Sequence, residues 1–310
     1  MSSQPADPRS RPARGTGDLL VTGATGFVGQ VLARALGQQK IRFRALVRVS
    51  SKRDRLEGSG AWMVEGDLCD PKTLHRPLEG VRQIVHLGAL VRTADPAANQ
   101  AVNADGTLNL LAAATAAGVE RVVSLSSDSV LRSRLSPYAE SKAIAEAAVL
   151  AWGAQEGRTS VVLRPPLILG PQSHHLQTLL KLSRLPALPL PRRTASRCPV
   201  FVEDVSNALL AALSIADSAI PDRPIDLPGA THLDFGALIC AVATSQGRRG
   251  PALRRLPNAA LRGLGRLAGD RVTEQLRGIE EEVHLDGRLA TEVLNWQPVS
   301  LDQMLRKSLS

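Results

Sequence analysis

Leu19-Leu20-Val21-Thr22-Gly23-Ala24-Thr25-Gly26-Phe27-Val28-Gly29 is the stretch on which the fold turns. A short apolar run beginning at Asp18 stops at three glycines spaced three apart, and Val31, Leu32, Ala35 and Leu36 then recur at helical spacing. Strand, glycine turn and helix in that order are the setting a dinucleotide-binding turn requires. Gly23 allows the tight turn, Gly26 lets backbone approach a pyrophosphate, and Gly29 lets helix and strand pack closely. The helix start then offers unpaired N–H groups to phosphate oxygens.

Working outward, each later strand pattern ends in a residue suited to the same ligand. The second, Ile41 to Val47, ends at Arg48, where a carboxylate would hold the ribose of NAD. An arginine there, with Lys52 and Arg53 close by, meets a 2′-phosphate instead, so NADP(H) is favoured over NAD(H). The third, Trp62 to Glu65, leads into Gly66-Asp67-Leu68, which places the Asp67 carboxylate to accept from the adenine amino group. The fourth, Gln83 to Leu87, runs into the small residues Gly88-Ala89, suited to a cofactor pressed on the backbone; His86 reads as a packing residue at its end. A helix pattern covers 96–118, a fifth strand Arg121 to Leu125, a helix Pro137 to Glu156, and a sixth strand Ser160 to Leu163 that breaks at Arg164-Pro165-Pro166. The alternation predicts an α/β protein, a Rossmann-type doubly wound parallel sheet with ligands beyond the carboxyl ends of its strands.

After Gly170-Pro171 the character changes to a smaller C-terminal substrate-binding cap. The expected organisation is a disordered tail over 1–17, a dinucleotide-binding domain over 18–171, and a cap over 172–310 with parts returning to the first domain. Leu188-Pro189-Leu190-Pro191 reads as irregular, and 253–268, with leucines among arginines, reads as a lid helix. A basic face touching a membrane surface is the second reading of that helix.

Tyr138 is the only tyrosine, and Lys142 follows four residues later, on the same face of the helix. A neighbouring ammonium stabilises a phenolate, so this pair predicts a lowered phenol pKa and a proton donor or acceptor. The formal charge of +9 comes partly from eight arginines between Arg248 and Arg277. With no aromatic interleaving and no nucleic-acid-binding motif, that charge suits anionic small ligands or an anionic membrane surface equally well. Cys69, Cys198 and Cys240 lie far apart and form no Cys-x-x-Cys pair, which argues against a zinc site or a disulfide framework and fits a reducing cytoplasm. The N-terminus has no apolar core of a secretion signal.

Together these motifs resemble the extended short-chain dehydrogenase/reductase family of nucleotide-sugar epimerases, dehydratases and ketoreductases. The matching segments are Thr22–Gly29, Gly66–Leu68, His86–Ala89, the Asn103 segment, Ser126-Ser127, Tyr138-x-x-x-Lys142, Arg164-Pro165 and Gly170-Pro171. The resemblance implies Tyr138 as acid/base, Lys142 as binder of the nicotinamide ribose, and Ser127 as the hydroxyl on the substrate oxygen. Ser126 and Ser124 are alternatives to Ser127, which aligns best when Val130 meets the family valine. Cofactor contacts are implied at Gly23, Thr25, Gly26, Phe27, Val28, Gly29, Arg48, Asp67, Leu68, Leu87, Gly88, Ala89, Asn103 and Pro165. Asp128, Arg197 and Arg277 are implied on the substrate side, Arg197 as the grip on a diphosphate. The dehydratases carry Asp-Glu after the hydroxyl residue; here Ser129 follows Asp128, which argues against water elimination.

The expected function is therefore an NAD(P)-dependent oxidoreductase or epimerase acting on a nucleotide-linked sugar, at C4, by 4-keto reduction or 4-epimerisation. The Leu-Pro-Leu-Pro run, the residues around His284-Leu285-Asp286 and Leu294–Pro298 resemble polysaccharide-pathway members. One alternative is an NADPH-dependent reductase of a non-sugar carbonyl of sterol or flavonoid type. The other is a non-catalytic NADP-binding regulator. The family resemblance also implies a homodimer through the helices at 96–118 and 137–156.

Overall fold

The computed structural model describes residues 18–91, 93, 95–192, 194–257, 261 and 278–309. The predicted tail, Arg277 and most of the predicted lid helix lie outside the described residues. Among those described, no helix is long and apolar enough to cross a membrane.

A seven-stranded sheet carries the fold, in the order β11–β6–β5–β4–β1–β2–β3. Its strands are β1 (Leu19–Thr22), β2 (Arg44–Val47), β3 (Trp62–Glu65), β4 (Gln83–His86), β5 (Arg121–Leu125), β6 (Thr159–Arg164) and β11 (Ile225–Asp226). The registered pairs are parallel, with Leu20 opposite both Arg44 and Ile84. β1, β2 and most of β4 are buried at every position, as parallel strands covered on both faces must be. The helices between them are α1 (Phe27–Gln38), α2 (Gly106–Ala117) and α3 (Pro137–Gly153).

The chain forms two compact units. The first takes the chain through Leu125, Ser141–Val162 and Leu209–Pro224. Its core joins Leu20, Leu46, Ile84, Leu110, Val122, Val149, Trp152 and Val162, all buried. The second takes Ser126–Glu140, Leu163–Ala208 and the chain from Ile225 onward. It contains β7 (Ile168–Leu169), α4 (His174–Ser183), β8 (Ala187–Pro191), β9 (Ser196–Arg197), β10 (Val200–Phe201), most of α5 (Val202–Ser214), β12 (Leu233–Asp234), α6 (Phe235–Ser245), β13 (Ala252–Leu256), α7 (Arg288–Leu294) and α8 (Leu301–Leu309).

Three sequence expectations are corrected. The helix expected over 96–118 is interrupted: Pro96–Asn99 is α-helical, Gln100–Asp105 is π-helical, and α2 follows. The wider turn carries Asn103, whose side chain holds two other segments, described below. The Leu-Pro-Leu-Pro run is not irregular but the strand β8, paired in parallel with β13. Arg192 N–H donates to the Leu256 carbonyl and Ala252 N–H to the Pro186 carbonyl, so the even-numbered residues of this run face β13. Pro189 and Pro191 therefore lack N–H groups only on the side away from the partner, where a strand tolerates proline. Leu188 and Leu190 are buried while Ala187 and Pro189 are exposed, a period of two. Residues 253–256, expected to open a lid helix, are instead the partner strand.

Candidate active site

In the first unit the glycine turn is shaped by close backbone approach. Gly23 has φ +68°, and a Cβ there would lie 2.6 Å from the Leu87 carbonyl carbon and oxygen. Only glycine lets the end of β1 press on the end of β4. A Cβ at Gly29 would strike the Gly23 carbonyl oxygen and lie 2.7 Å from Ala24 Cα. The third glycine thus seats α1 on the turn itself rather than on a strand. Gly26 is exposed, and its N–H donates to the Gly23 carbonyl at 2.9 Å. It caps α1 with no side chain, so the helix start carries no built-in acceptor and no first-turn acid. Thr25, Phe27 and Val28 stand at this same start, whose first amides have no intrahelical acceptor. These residues fit the pyrophosphate of a dinucleotide.

The other residues expected to contact a cofactor follow their strands. Arg48 is exposed past β2, its N–H donating to Ser51 Oγ at 2.9 Å. Arg53 is committed to Glu65, at 2.9 Å. The cation at the glycine turn is Arg55, whose Nη1 donates to the Thr25 carbonyl at 3.1 Å. Sequence reasoning passed over Arg55 because a 3-10 turn at Arg53–Leu56, not the strand end, brings it there. Asp67 accepts from Cys69 N–H through Oδ1 at 3.0 Å, and the Leu68 carbonyl accepts from Asn109 Nδ2 at 2.9 Å. Leu87, Gly88 and Ala89 keep partial exposure past β4.

Asn103 is buried and bound on every side by protein. Its Oδ1 accepts from Leu90 N–H at 2.6 Å, and its Nδ2 donates to the Leu90 carbonyl and to Ser141 Oγ, each at 3.0 Å. It ties the segment after β4 to α3 one residue before Lys142. The Lys142 ammonium donates to the Leu125 carbonyl at the end of β5, at 2.7 Å. Burial lowers its pKa to about 8 against the opposing charge of Glu146.

In the second unit, Ser127, Asp128 and Tyr138 lie together. The Ser127 hydroxyl is 3.3 Å from Asp128 Oδ1, accepts from Ser129 Oγ at 2.9 Å, and shares a hydrogen bond with the Tyr138 phenol. Of the three candidate serines, Ser127 is the one bonded to Tyr138: Ser124 is buried within β5, and Ser126 Oγ is buried without a protein partner. Asp128 N–H donates to the Pro165 carbonyl at 3.0 Å, fixing the loop after β5 to the break after β6.

The phenol corrects a further expectation. Burial pushes the Tyr138 pKa up to about 12, with Asp128 adding to the rise and the Ser127 hydroxyl opposing it. Lys142, one turn along α3, is itself desolvated, and its ammonium is engaged by the Leu125 carbonyl. Desolvation outweighs the charge attraction that the spacing alone suggests.

These two shifts set a pH dependence for the ligand-free protein. An unfolded lysine keeps its proton to about 10.5 and the folded Lys142 only to about 8, so the unfolded chain binds more protons between them and stability rises with pH there. The unfolded phenol ionises near 10 and folded Tyr138 near 12, so stability falls across that window. Urea midpoints at constant ionic strength are expected to climb from pH 8 toward 10 and then decline. Lys142→Met should flatten the climb; an unchanged climb would refute the assignment.

Arg197 on β9 stands in a cluster of four charges beside Asp128. Its Nη2 donates to the Gly278 carbonyl, and Glu281 Oε1 accepts from Ser133 N–H. Burial and the like charge of Arg132 lower the Arg197 pKa, with Asp128 and Glu281 opposing. Arg132 also acts on Asp128 and Glu281, so two guanidiniums and two carboxylates lie within electrostatic reach of one another.

The chain matches the NAD-dependent epimerase/dehydratase family model over residues 19–225. It is 35% identical over 196 residues to a ceramide reductase of Caulobacter vibrioides, covering 63% of this chain and 60% of that one. It is 36% identical over 170 residues to a putative dihydroflavonol 4-reductase of Synechocystis, covering 49% of each. The chain thus spans roughly half to three fifths of the length of these curated relatives. The fold is that of the UDP-glucose 4-epimerase of Brucella ovis solved with NAD, at a TM-score of 0.74 and 22% identity, covering 94% of this chain and 97% of that one. With its glycine turn, its parallel sheet and a family match across two thirds of its length, the chain belongs to the NAD-dependent epimerase/dehydratase family.

Proposed function

We propose that this chain is an NAD(P)-dependent oxidoreductase interconverting a ketone and a secondary alcohol on a largely apolar substrate that carries no diphosphate. The observation that carries this reading is the charge balance beside Tyr138: the charges of Asp128 and Glu281 oppose those of Arg132 and Arg197, and Arg197 already holds the Gly278 carbonyl. A diphosphate would have to compete with these two carboxylates for the guanidiniums. The ceramide reductase and putative dihydroflavonol 4-reductase among the relatives support the same reading.

Bound nicotinamide supplies or accepts the hydride. In reduction the Tyr138 hydroxyl gives its proton to the carbonyl oxygen, and Ser127 Oγ donates a hydrogen bond to that oxygen. A phenol held at about 12 is fully protonated at neutral pH, the state an acid needs. Arg48 and Arg55 support NADP(H) over NAD(H), since both are cations beside the strand and turn where a 2′-phosphate would lie.

A second reading is hydride chemistry at C4 of a nucleotide-linked sugar, as reductase or epimerase; it is favoured by Arg132 and Arg197, whose planar forks suit phosphate oxygens. One assay separates the two. NADPH oxidation is followed with long-chain and polyphenolic ketones, and UDP-glucose is tested for conversion to its C4 epimer. Turnover of the ketones alone is expected, and epimerisation of UDP-glucose would sink the first reading. The Arg48→Ala, Arg55→Ala double variant should raise the KM for NADPH by roughly 10-fold or more, from the loss of charge-assisted hydrogen bonds, and leave NADH unaffected. Exposed Leu108 on α2 and Ile144 on α3 support a homodimer, which sedimentation equilibrium of the same preparation would refute by showing a monomer.

A further inference from the structure

His86, the last residue of β4, has 1% of its surface exposed and has no role in the chemistry above. Its Nδ1 lies 2.8 Å from Thr22 Oγ1 and its Nε2 lies 2.9 Å from Thr107 Oγ1. The hydroxyls decide which nitrogen carries the proton. Thr107 Oγ1 donates its one proton to the Asn103 carbonyl at 2.6 Å, so it must accept from Nε2–H. Nδ1 is then bare and accepts from the Thr22 hydroxyl, whose oxygen in turn accepts from Gly88 N–H at 3.0 Å. The result is one directional chain: Gly88 N–H to Thr22, Thr22 to His86, His86 to Thr107, Thr107 to the Asn103 carbonyl.

We propose that His86, held as the neutral Nε2–H tautomer, is a positioning residue for dinucleotide binding. Through Thr22 it fixes the Gly88 amide against the glycine turn, and through Thr107 it fixes the π-helical turn that carries Asn103. The Asn103 side chain then holds Leu90 and Ser141, the residue before Lys142. One imidazole thus sets the relative positions of the end of β1, the end of β4 and the start of α2, three places where the cofactor residues are mounted.

Protonation would break the arrangement at Thr22. An Nδ1–H would need the Thr22 oxygen as acceptor, leaving the buried Thr22 proton without one. The extra cation would also stand in dry surroundings within the field of Lys142, and these two effects hold the imidazole pKa down to about 3. The inference depends on the dinucleotide reading of the glycine turn and is independent of the substrate proposed above.

Two measurements on the 310-residue chain test it. Long-range proton–nitrogen NMR of histidine rings, with His86 assigned by loss in His86→Gln, should show a neutral Nε2–H ring that does not titrate between about pH 5 and 8, well above its folded pKa and across the range of a free imidazole. An Nδ1–H ring or a titrating one overturns the proposal. Dinucleotide Kd and kcat are then measured for His86→Leu, His86→Gln and Thr107→Val. His86→Leu and Thr107→Val are expected to weaken dinucleotide binding by about 10-fold, with kcat at saturating cofactor little changed. His86→Gln, whose amide keeps a donor and an acceptor, should recover part of the loss. If His86→Leu does not fold, Thr107→Val carries the same test, because valine keeps the shape and removes only the hydroxyl. Wild-type Kd in a folded His86→Leu or in Thr107→Val overturns the role.

Discussion

Tyr138→Phe is expected to lower turnover by about 10³-fold while dinucleotide binding stays near the wild-type value. Phenylalanine fills the same space on α3, so packing is kept; only the hydroxyl shared with Ser127 is lost. In the proposed reaction that hydroxyl is the proton source for the carbonyl oxygen. Asp128 is the adjacent carboxyl, and Ser127 has no acidity of its own at neutral pH. The glycine turn, the start of α1 and the end of β4 are untouched by the change, so the Kd for NADPH should hold. Single-turnover rates and fluorescence titration of the same preparation read the two quantities separately. Retained turnover would remove Tyr138 from the chemistry. Lost dinucleotide binding would mean that it acts as a structural residue instead.

The second large effect is expected at Gly23→Ala. Two costs add there. A left-handed φ of +68° costs an L-residue about 1–2 kcal/mol. The new Cβ would also stand 2.6 Å from the backbone carbonyl of Leu87 and 2.7 Å from the Gly88 nitrogen, neither of which can rotate away. Forcing atoms into a filled site costs about 1–3 kcal/mol more. Gly118→Ala is the internal control, since Gly118 has φ +72° with nothing within 4 Å of a Cβ. Denaturant midpoints should therefore fall further for Gly23→Ala than for Gly118→Ala, and only the former should lose dinucleotide binding. Equal losses would show that the approach of β4 to the turn contributes nothing.

Much of the fold was legible because its signals are local. The strands Trp62–Glu65 and Arg121–Leu125 lie where the apolar runs place them, and Leu19–Thr22 followed by three glycines leads into α1. The glycine spacing, the arginine after β2 and the single tyrosine four residues before a lysine likewise needed no partner elsewhere to be recognised.

The rest depends on residues far apart in sequence. Leu-Pro-Leu-Pro becomes a strand because β13, more than sixty residues later, faces the side on which the prolines lack nothing. Arg55 reaches the turn through a local 3-10 geometry, and His86 gains its tautomer from hydroxyls at Thr22 and Thr107. The direction of the Tyr138 shift is also invisible to spacing. Four residues on a helix predict an ammonium near a phenol, but only burial says how much water either has lost. By itself the sequence determined the parallel sheet, the glycine turn and the Tyr138–Lys142 pair, because those follow from periodicity and from what glycine alone permits. The tertiary structure alone decided the direction of the phenol's pKa shift, the balance of Arg132 and Arg197 against Asp128 and Glu281, and the proton on His86. Desolvation and hydrogen-bond direction belong to the surroundings of a group and not to its place in the chain.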